Sequence, residues 1–278
     1  MSSILLTVSK MSVIEMLYLT GLFILIGLIL GLLEKLSNDF MQEAIGRKGI
    51  LITAWLGTPI HELGHAIMCL IFNHNITKIE LLNIKGDSEI LGYVEHSYNK
   101  NNLYQRIGNL FIGLGPVFSG TGSLILTLYL LLPHSFAVFK KFLVQGINSD
   151  KIGINLVSTL LKSGVTLLKG IFTTSNLANP LFWLFMVIAI CISSHIALSK
   201  ADIRGAGDGF IVLFALIFLI NLFLRIFSIS STRYIITLSR YNAHLMAFLM
   251  IALLFSAITL IISIVFYLLT KHKNSLRY

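Results

Sequence analysis

The sequence His61-Glu62-Leu63-Gly64-His65 combines three side chains that can do chemistry together. On a helix, residues four apart lie on one face, so His61 and His65 can point at one metal ion. Zinc is commonly bound by imidazole nitrogens, and it lowers the pKa of a bound water toward neutrality. Glu62 lies next to that position, where its carboxylate can accept the proton. The spacing predicts a zinc site with Glu62 as the general base.

The motif lies inside a long apolar run, Ile50–Phe72. Ionisable side chains are costly in the hydrocarbon region of a membrane and usually have a function there. The alternative is that the two histidines and the glutamate only hydrogen-bond to neighbouring helices. The cost of charge inside a bilayer favours the metal site.

The composition indicates a membrane protein with one domain over residues 1–278. Hydrophobic residues make up 56% of the 278 residues and charged residues only 12%, whereas a soluble domain has about 25% charged residues. The net charge of +9 comes from Lys and Arg in short segments between apolar runs. That is the usual position of membrane-flanking charge, so we expect contact with the lipid bilayer and no nucleic-acid partner.

Six apolar runs are long enough, or nearly so, to cross a bilayer as helices. The first has no small-x-small cleavage site, so it is interpreted as a span rather than a signal peptide. Outside the long connection between the third and fourth runs, the balance of Lys and Arg favours a multi-pass topology in the cytoplasmic membrane with both termini cytosolic. The runs are Val13–Leu33, Ile50–Phe72, Ile107–Leu132, Leu181–Leu198, Phe210–Phe227 and His244–Thr270.

Two connections between the runs contain elements of their own. In Ile76–Tyr98, two β-prone stretches flank Lys85-Gly86-Asp87-Ser88, which predicts a β-hairpin after the second span. Its edge could pair with an extended substrate, or the hairpin could be a surface element without that role. In Phe136–Ser175, Lys and other polar residues recur at helical spacing, which predicts an amphipathic interfacial helix acting as an anchor or a gate. The predicted fold is therefore an all-α polytopic membrane protein with a small hairpin.

A catalytic zinc site needs a third protein ligand. The last Glu of the chain, Glu95, falls in the predicted hairpin, which excludes a Glu ligand downstream of it. Met68 and Ile71 stand where the longer HExxHxxGxxH motif requires Gly and His, which excludes that arrangement. The densest group of remaining candidates lies at Ser193–Gly209, where glycines predict an irregular turn that lines a cavity. Its candidate ligands are His195, Asp202 and Asp208.

These features together resemble the site-2 protease family of intramembrane zinc metalloproteases. The resemblance covers residues 50–210 and rests on the intramembrane HExxH motif, the following hairpin, Gly115-Pro116 in the next run and an Asp in a later Gly-rich segment. Of the family's Asn-x-x-Pro-x-x-x-Leu-Asp-Gly pattern, this sequence retains only Asp202.

The family binds zinc through two His and one Asp and uses the motif Glu as base to cut transmembrane segments. The resemblance thus implies His61, His65 and Asp202 as metal ligands and Glu62 as the catalytic residue. The alternative for Asp202 is a helix-end carboxylate paired with Lys200 or Arg204.

The predicted function is an intramembrane zinc metalloprotease acting on transmembrane proteins or membrane peptides. One alternative is a membrane metal-binding protein without hydrolysis, which would need His61 and His65 but not Glu62. Another is an inactive scaffold that binds helices and needs no zinc. Ser194 and Asn221 are candidate oxyanion donors that could equally serve neighbouring helices.

Overall fold

The computed structural model describes residues 2–84, 90–147, 154–227, 229 and 232–275. Over these residues the chain is built from α-helices and one small antiparallel sheet. A π-helical segment, Leu17–Gly21, joins the first two helices into one rod. The elements are α1 (Ser2–Met16), α2 (Leu22–Ile45), α3 (Arg47–Ile71), β1 (Asn75–Glu80), β2 (Tyr93–Ser97), α4 (Leu103–Gly113), α5 (Gly115–Leu131), α6 (Pro133–Ile147), α7 (Ile154–Ile171), α8 (Thr174–Leu177), α9 (Pro180–Ser193), α10 (Lys200–Ile226) and α11 (Thr232–Ser275).

Among the described residues, three helical stretches are long and apolar enough to cross a membrane, namely Ile4–Ile45, Lys200–Ile226 and Leu249–His272. The pair α4 and α5 makes a fourth if it counts as one bent span. These stretches indicate a membrane-associated, mainly helical protein, as predicted, while the number of six spans stays a prediction. The 14 residues of α9 rise only about 21 Å, less than the hydrocarbon thickness of about 30 Å.

The third apolar run is broken where its glycines and proline predict a kink. Helix α4 ends at Gly113 and α5 begins at Gly115, with an angle of 55° between them. Pro116 occupies the first turn of α5, where its missing N–H costs no hydrogen bond. The bend turns the end of α4 toward the middle of α3, which carries the HExxH motif.

The chain is not helical between α9 and α10, over residues 194–199. The glycines of this segment were predicted to form the irregular turn, but Gly205, Gly207 and Gly209 all lie inside α10. The physical reason is the capping box of Ser199 and Asp202, which begins the helix before the glycines are reached.

The predicted hairpin is confirmed as the antiparallel pair β1 and β2, with Ile79 opposite Val94. The strands are shorter than the two β-prone stretches, because β1 ends at Glu80 and β2 begins at Tyr93. The predicted turn at Lys85-Gly86-Asp87-Ser88 lies outside the described residues.

Among the described residues, the connection Phe136–Ser175 includes most of α6, all of α7 and the start of α8, and the predicted amphipathic pattern falls on α7. Helix α7 covers most of the predicted amphipathic pattern. Its buried Leu167 and Ile171 belong to the hydrophobic core, and the helix packs on α6 and α11. The apolar face of α7 therefore packs against other helices of the protein. An interfacial position for α7 in the membrane stays a prediction.

Helix α3 packs against α5 and α9 with one face and leaves the opposite face exposed, as at Ile52, Trp55 and Leu70. Helix α2 packs along α11, and α4 packs along α10. Large buried side chains such as Phe182, Phe185 and Phe255 fill the core. Cys69 on α3 and Cys191 on α9 are both buried and free. They pack as small apolar side chains.

Candidate metal centre

The structure brings together the three side chains that the resemblance implies as metal ligands. One nitrogen each of His61 and His65 and one carboxylate oxygen of Asp202 lie within 4.8 Å of one another. His65 Nε2 is 3.2 Å from Asp202 Oδ1, and His61 Nε2 is 3.7 Å from Asp202 Oδ2. Helix α3 supplies two of these groups from one face, and the first turn of α10 supplies the third.

Backbone carbonyl groups orient both histidines. His61 Nδ1 donates to the carbonyl oxygen of His195 at 2.7 Å, just beyond the end of α9. His65 Nδ1 donates to the carbonyl oxygen of Ile112 at 2.8 Å, near the end of α4. A carbonyl oxygen can only accept, so each Nδ1 carries a proton, and in a neutral imidazole each Nε2 then carries a lone pair. Both lone pairs are thereby available as metal ligands, an arrangement common around metal-bound histidines.

The electrostatics of the cluster favour a bound cation. The two Nε2 atoms are only 3.2 Å apart, and a carboxylate faces them at a similar distance. Two lone pairs and a negative charge repel one another unless a proton or a cation lies between them. Two imidazoles and one carboxylate make a donor set typical of a catalytic zinc site, in which water would occupy the fourth position. The residues present therefore fit zinc.

The backbone also positions Asp202. Its Oδ2 accepts a hydrogen bond from the Ser199 amide at 2.7 Å, which leaves Oδ1 directed at His65. Within the described part of the chain, no ion pair joins this carboxylate to Lys200 or Arg204. The alternative interpretation is thus half right, because Asp202 does cap α10 while it also faces the histidines.

The other two candidate ligands are engaged elsewhere. Asp208 forms a two-pronged ion pair with Arg106, with distances of 2.6 and 3.1 Å. The His195 ring lies 3.0 Å from Thr53 Oγ1 through Nε2 and 3.4 Å from Glu34 through Nδ1. His195 contributes its carbonyl to the site rather than its imidazole.

Glu62 shares a cavity with the ligand cluster. The cavity has a volume of about 620 Å³. All four predicted site residues line it, namely His61, Glu62, His65 and Asp202. Glu62 is buried, with 6% of its surface exposed. The segment Ile90–Val94, which enters β2, forms one wall of the same cavity. Glu62, the three potential ligands and the start of β2 therefore line the same cavity.

Sequence reasoning missed several residues of this cavity. Asn109 of α4, His96 of β2 and Glu34 of α2 all line it. No spacing rule connects them to the motif, because tertiary packing alone brings these elements together. The two proposed oxyanion donors lie elsewhere. Asn221 bonds to Ser12 and Glu15, and Ser194 bonds to the carbonyl of Ile190.

The close crossing of α3 and α5 depends on two glycines beside the site. A Cβ atom added to Gly115 would lie 2.6 Å from the carbonyl oxygen of Gly64, which precedes His65. We expect Gly115→Ala to push the helices apart, to weaken zinc binding and to lower the thermal unfolding midpoint. The matched control is Gly122→Ala on the same helix, where a Cβ meets nothing within 4 Å. It should raise the midpoint slightly, because alanine favours helices by up to about 1 kcal/mol over glycine. Equal midpoints and zinc contents for the two variants would contradict this account of the crossing.

Comparison of the chain with protein family models, with curated proteins and with solved structures found no match.

Proposed function

We propose that the protein is an intramembrane zinc metalloprotease, similar to site-2 proteases, that hydrolyses peptide bonds of membrane-embedded substrates. The single observation that carries the proposal is the shared cavity of Glu62, the three-residue ligand cluster and the entrance to β2. A metal carrier or sensor has no need of a buried carboxylate beside the ligands. A scaffold for helices has no need of the ligands themselves.

In the proposed mechanism, His61, His65 and Asp202 hold the metal. Zinc, when bound, activates a water and polarises the scissile carbonyl. Glu62 accepts a proton from the attacking water and then donates it to the nitrogen of the leaving amine. The carbonyl groups of His195 and Ile112 keep both imidazoles in the tautomer that leaves Nε2 unprotonated. The burial of Glu62 and His65 lowers the local dielectric constant, which strengthens the electrostatic interactions of these two groups.

The hairpin is proposed to hold the substrate. In a transmembrane helix, the backbone N–H and C=O groups are hydrogen-bonded to one another. The helix must therefore unwind locally before one of its peptide bonds can be cut. Strand β2 pairs with β1 on one side, and no other strand pairs with it among the described residues. Pairing of an extended peptide with a free strand edge is a common mode of recognition. The position of β2 at the cavity wall would place such a peptide beside Glu62.

The proposal is tested by reconstituting the purified protein in lipid vesicles with a panel of single-span substrates. The panel carries helix-breaking residues at different depths, and mass spectrometry identifies the products. We expect cleavage within the span, loss of cleavage after zinc removal by a chelator and recovery after zinc is restored. Bound zinc without cleavage of any panel member would favour the metal-binding alternative. A protein that binds no zinc would favour the scaffold.

Gly92 offers a test of the hairpin without touching the ligands. A Cβ atom added there would lie 2.9 Å from Glu62 Cγ and 2.9 Å from the Glu80 carbonyl oxygen. We expect Gly92→Ala to displace either the strand or Glu62 and to lower kcat/KM at least about tenfold, while zinc content stays unchanged.

Gly122→Ala again serves as the control. Unchanged kcat/KM in Gly92→Ala would contradict the proposed role of the hairpin beside Glu62.

A further inference from the structure

A second group of polar side chains adjoins the metal centre at the base of the hairpin. His74, which follows α3, is buried, with 4% of its surface exposed. Its Nδ1 lies 3.0 Å from His96 Nδ1, and its Nε2 lies 2.8 Å from the carbonyl oxygen of Gln105. The His74 ring also stacks on Tyr98, with 4.9 Å between ring centroids and 19° between planes. This packing holds both imidazoles in fixed positions.

The hydrogen bonds of this group determine where its protons lie. The Gln105 carbonyl only accepts, so His74 Nε2 must donate to it. In neutral His74, Nδ1 is then an acceptor, and His96 Nδ1 must donate to it. In neutral His96, the remaining nitrogen, Nε2, consequently carries a lone pair. A single backbone carbonyl therefore fixes the tautomers of both histidines.

His96 is placed to use that lone pair in the cavity. It lies on β2, opposite Ile76 of β1, and its side chain lines the same cavity as Glu62. Burial lowers the pKa of His96, so the ring is neutral at pH 7. Within the described residues, Nε2 of His96 has no hydrogen-bond partner. A half-buried acceptor at the cavity wall that has no protein partner can accept a hydrogen bond from a ligand with an N–H group.

We propose that His96 is a substrate-binding residue whose Nε2 accepts a hydrogen bond from a backbone N–H of the extended peptide in the cavity. This inference rests on the proposed function, because it assigns a contact to the substrate of that site. A strand laid beside β2 presents backbone N–H groups at regular spacing, and a side-chain acceptor on the cavity wall selects the register at which one of them docks. His74 and the Gln105 carbonyl act as positioning groups for His96.

Peptide binding tests the inference independently of hydrolysis. The protein carries Glu62→Gln, so it cannot consume the probe. The probe is a fluorescein-labelled peptide of about ten alternating valines and threonines flanked by lysines, a composition that favours an extended strand. We expect His96→Phe to weaken binding about five- to tenfold, the range of one net hydrogen bond. His96→Gln retains an acceptor and should recover part of the affinity. The matched control is His134→Ala, an exposed histidine at the start of α6, which should leave affinity unchanged.

A set of N-methylated probes identifies the contact. Methylation at each backbone nitrogen in turn should weaken binding at one position in particular, and that loss should vanish in the His96→Phe background, as a double-mutant cycle requires for a direct contact. Equal affinities for His96→Phe and His134→Ala, or a methylation loss that persists in His96→Phe, would overturn the inference.

Histidine ¹⁵N NMR of the Glu62→Gln protein leaves His96 itself unaltered. The signal of its unprotonated Nε2, assigned with the His96→Gln variant, should shift on addition of the unmethylated probe. A protonated Nε2 in the free protein at pH 7, or a signal that the probe does not shift, would overturn the inference. Failure of the protease proposal would be seen separately, as absent cleavage by protein with native Glu62.

Discussion

Replacement of Glu62 by glutamine is expected to abolish peptide hydrolysis while zinc remains bound. Glutamine has the shape of glutamate but cannot take a proton from water, and a positioned base contributes about 10²–10⁴ to a rate. The proposed metal ligands are His61, His65 and Asp202, and none of them is altered. We therefore expect kcat to fall by about a thousandfold or more, measured on vesicle-reconstituted substrate, with zinc stoichiometry by mass spectrometry equal to that of the unaltered protein.

The matched control for this change is Glu43→Gln, which alters an exposed carboxylate on α2. It should change neither kcat nor zinc content. Persistent hydrolysis by Glu62→Gln would refute the assignment of Glu62 as base. If Glu62→Gln lost its zinc, the Glu62 carboxylate would instead be needed to keep the metal ligands in place.

Local rules predict the half of the site that lies on one helix. His61, Glu62 and His65 are close in sequence, and helical periodicity alone puts the two histidines on one face of α3. The resemblance to site-2 proteases supplies Asp202, which lies within reach of both histidines in the structure. Sequence spacing gives no basis for choosing Asp202 over Asp208, because both residues lie in α10. They differ in their neighbours, since Asp202 faces His65 and Asp208 pairs with Arg106.

The groups that orient the histidines have no sequence signature. The acceptors are main-chain carbonyls of Ile112 and His195, and any residue type offers the same carbonyl. They are exposed for this use because α4 ends and bends after Gly113 and because α9 ends at Ser193. Helix ends leave carbonyl groups without intrahelical partners. The glycine and proline that predict the bend thus indicate indirectly where an acceptor becomes available.

Hydropathy predicts the apolar helices but not their ends. The run Leu181–Leu198 is apolar throughout, whereas α9 ends at Ser193 and the residues that follow it, among them His195 and Ser199, line the cavity. The run Phe210–Phe227 omits the first ten residues of α10, where Asp202 lies. Charged residues at the start of a helix lower its hydropathy, so hydropathy does not detect the part of α10 that carries the proposed ligand Asp202.

Replacement of Asp202 by asparagine is expected to remove zinc, whereas the same replacement at Asp208 is expected to retain it. Asparagine at 202 can still accept the Ser199 amide hydrogen bond that caps α10, so the helix keeps its start. It loses the negative charge that faces His65 at 3.2 Å. Loss of one of three protein ligands should weaken zinc affinity by at least about a hundredfold, which competition with a chromogenic chelator measures.

Asp208→Asn gives the opposite pattern because that carboxylate pairs with Arg106, a partly exposed residue. Such pairs contribute up to about 1 kcal/mol to stability, so the unfolding midpoint should fall slightly while zinc affinity stays unchanged. His195→Phe should also retain zinc, because the site uses the His195 carbonyl and not its ring. If Asp208→Asn lost zinc while Asp202→Asn retained it, Asp208 rather than Asp202 would be the third ligand. The role of Glu62 as general base would still be decided by Glu62→Gln.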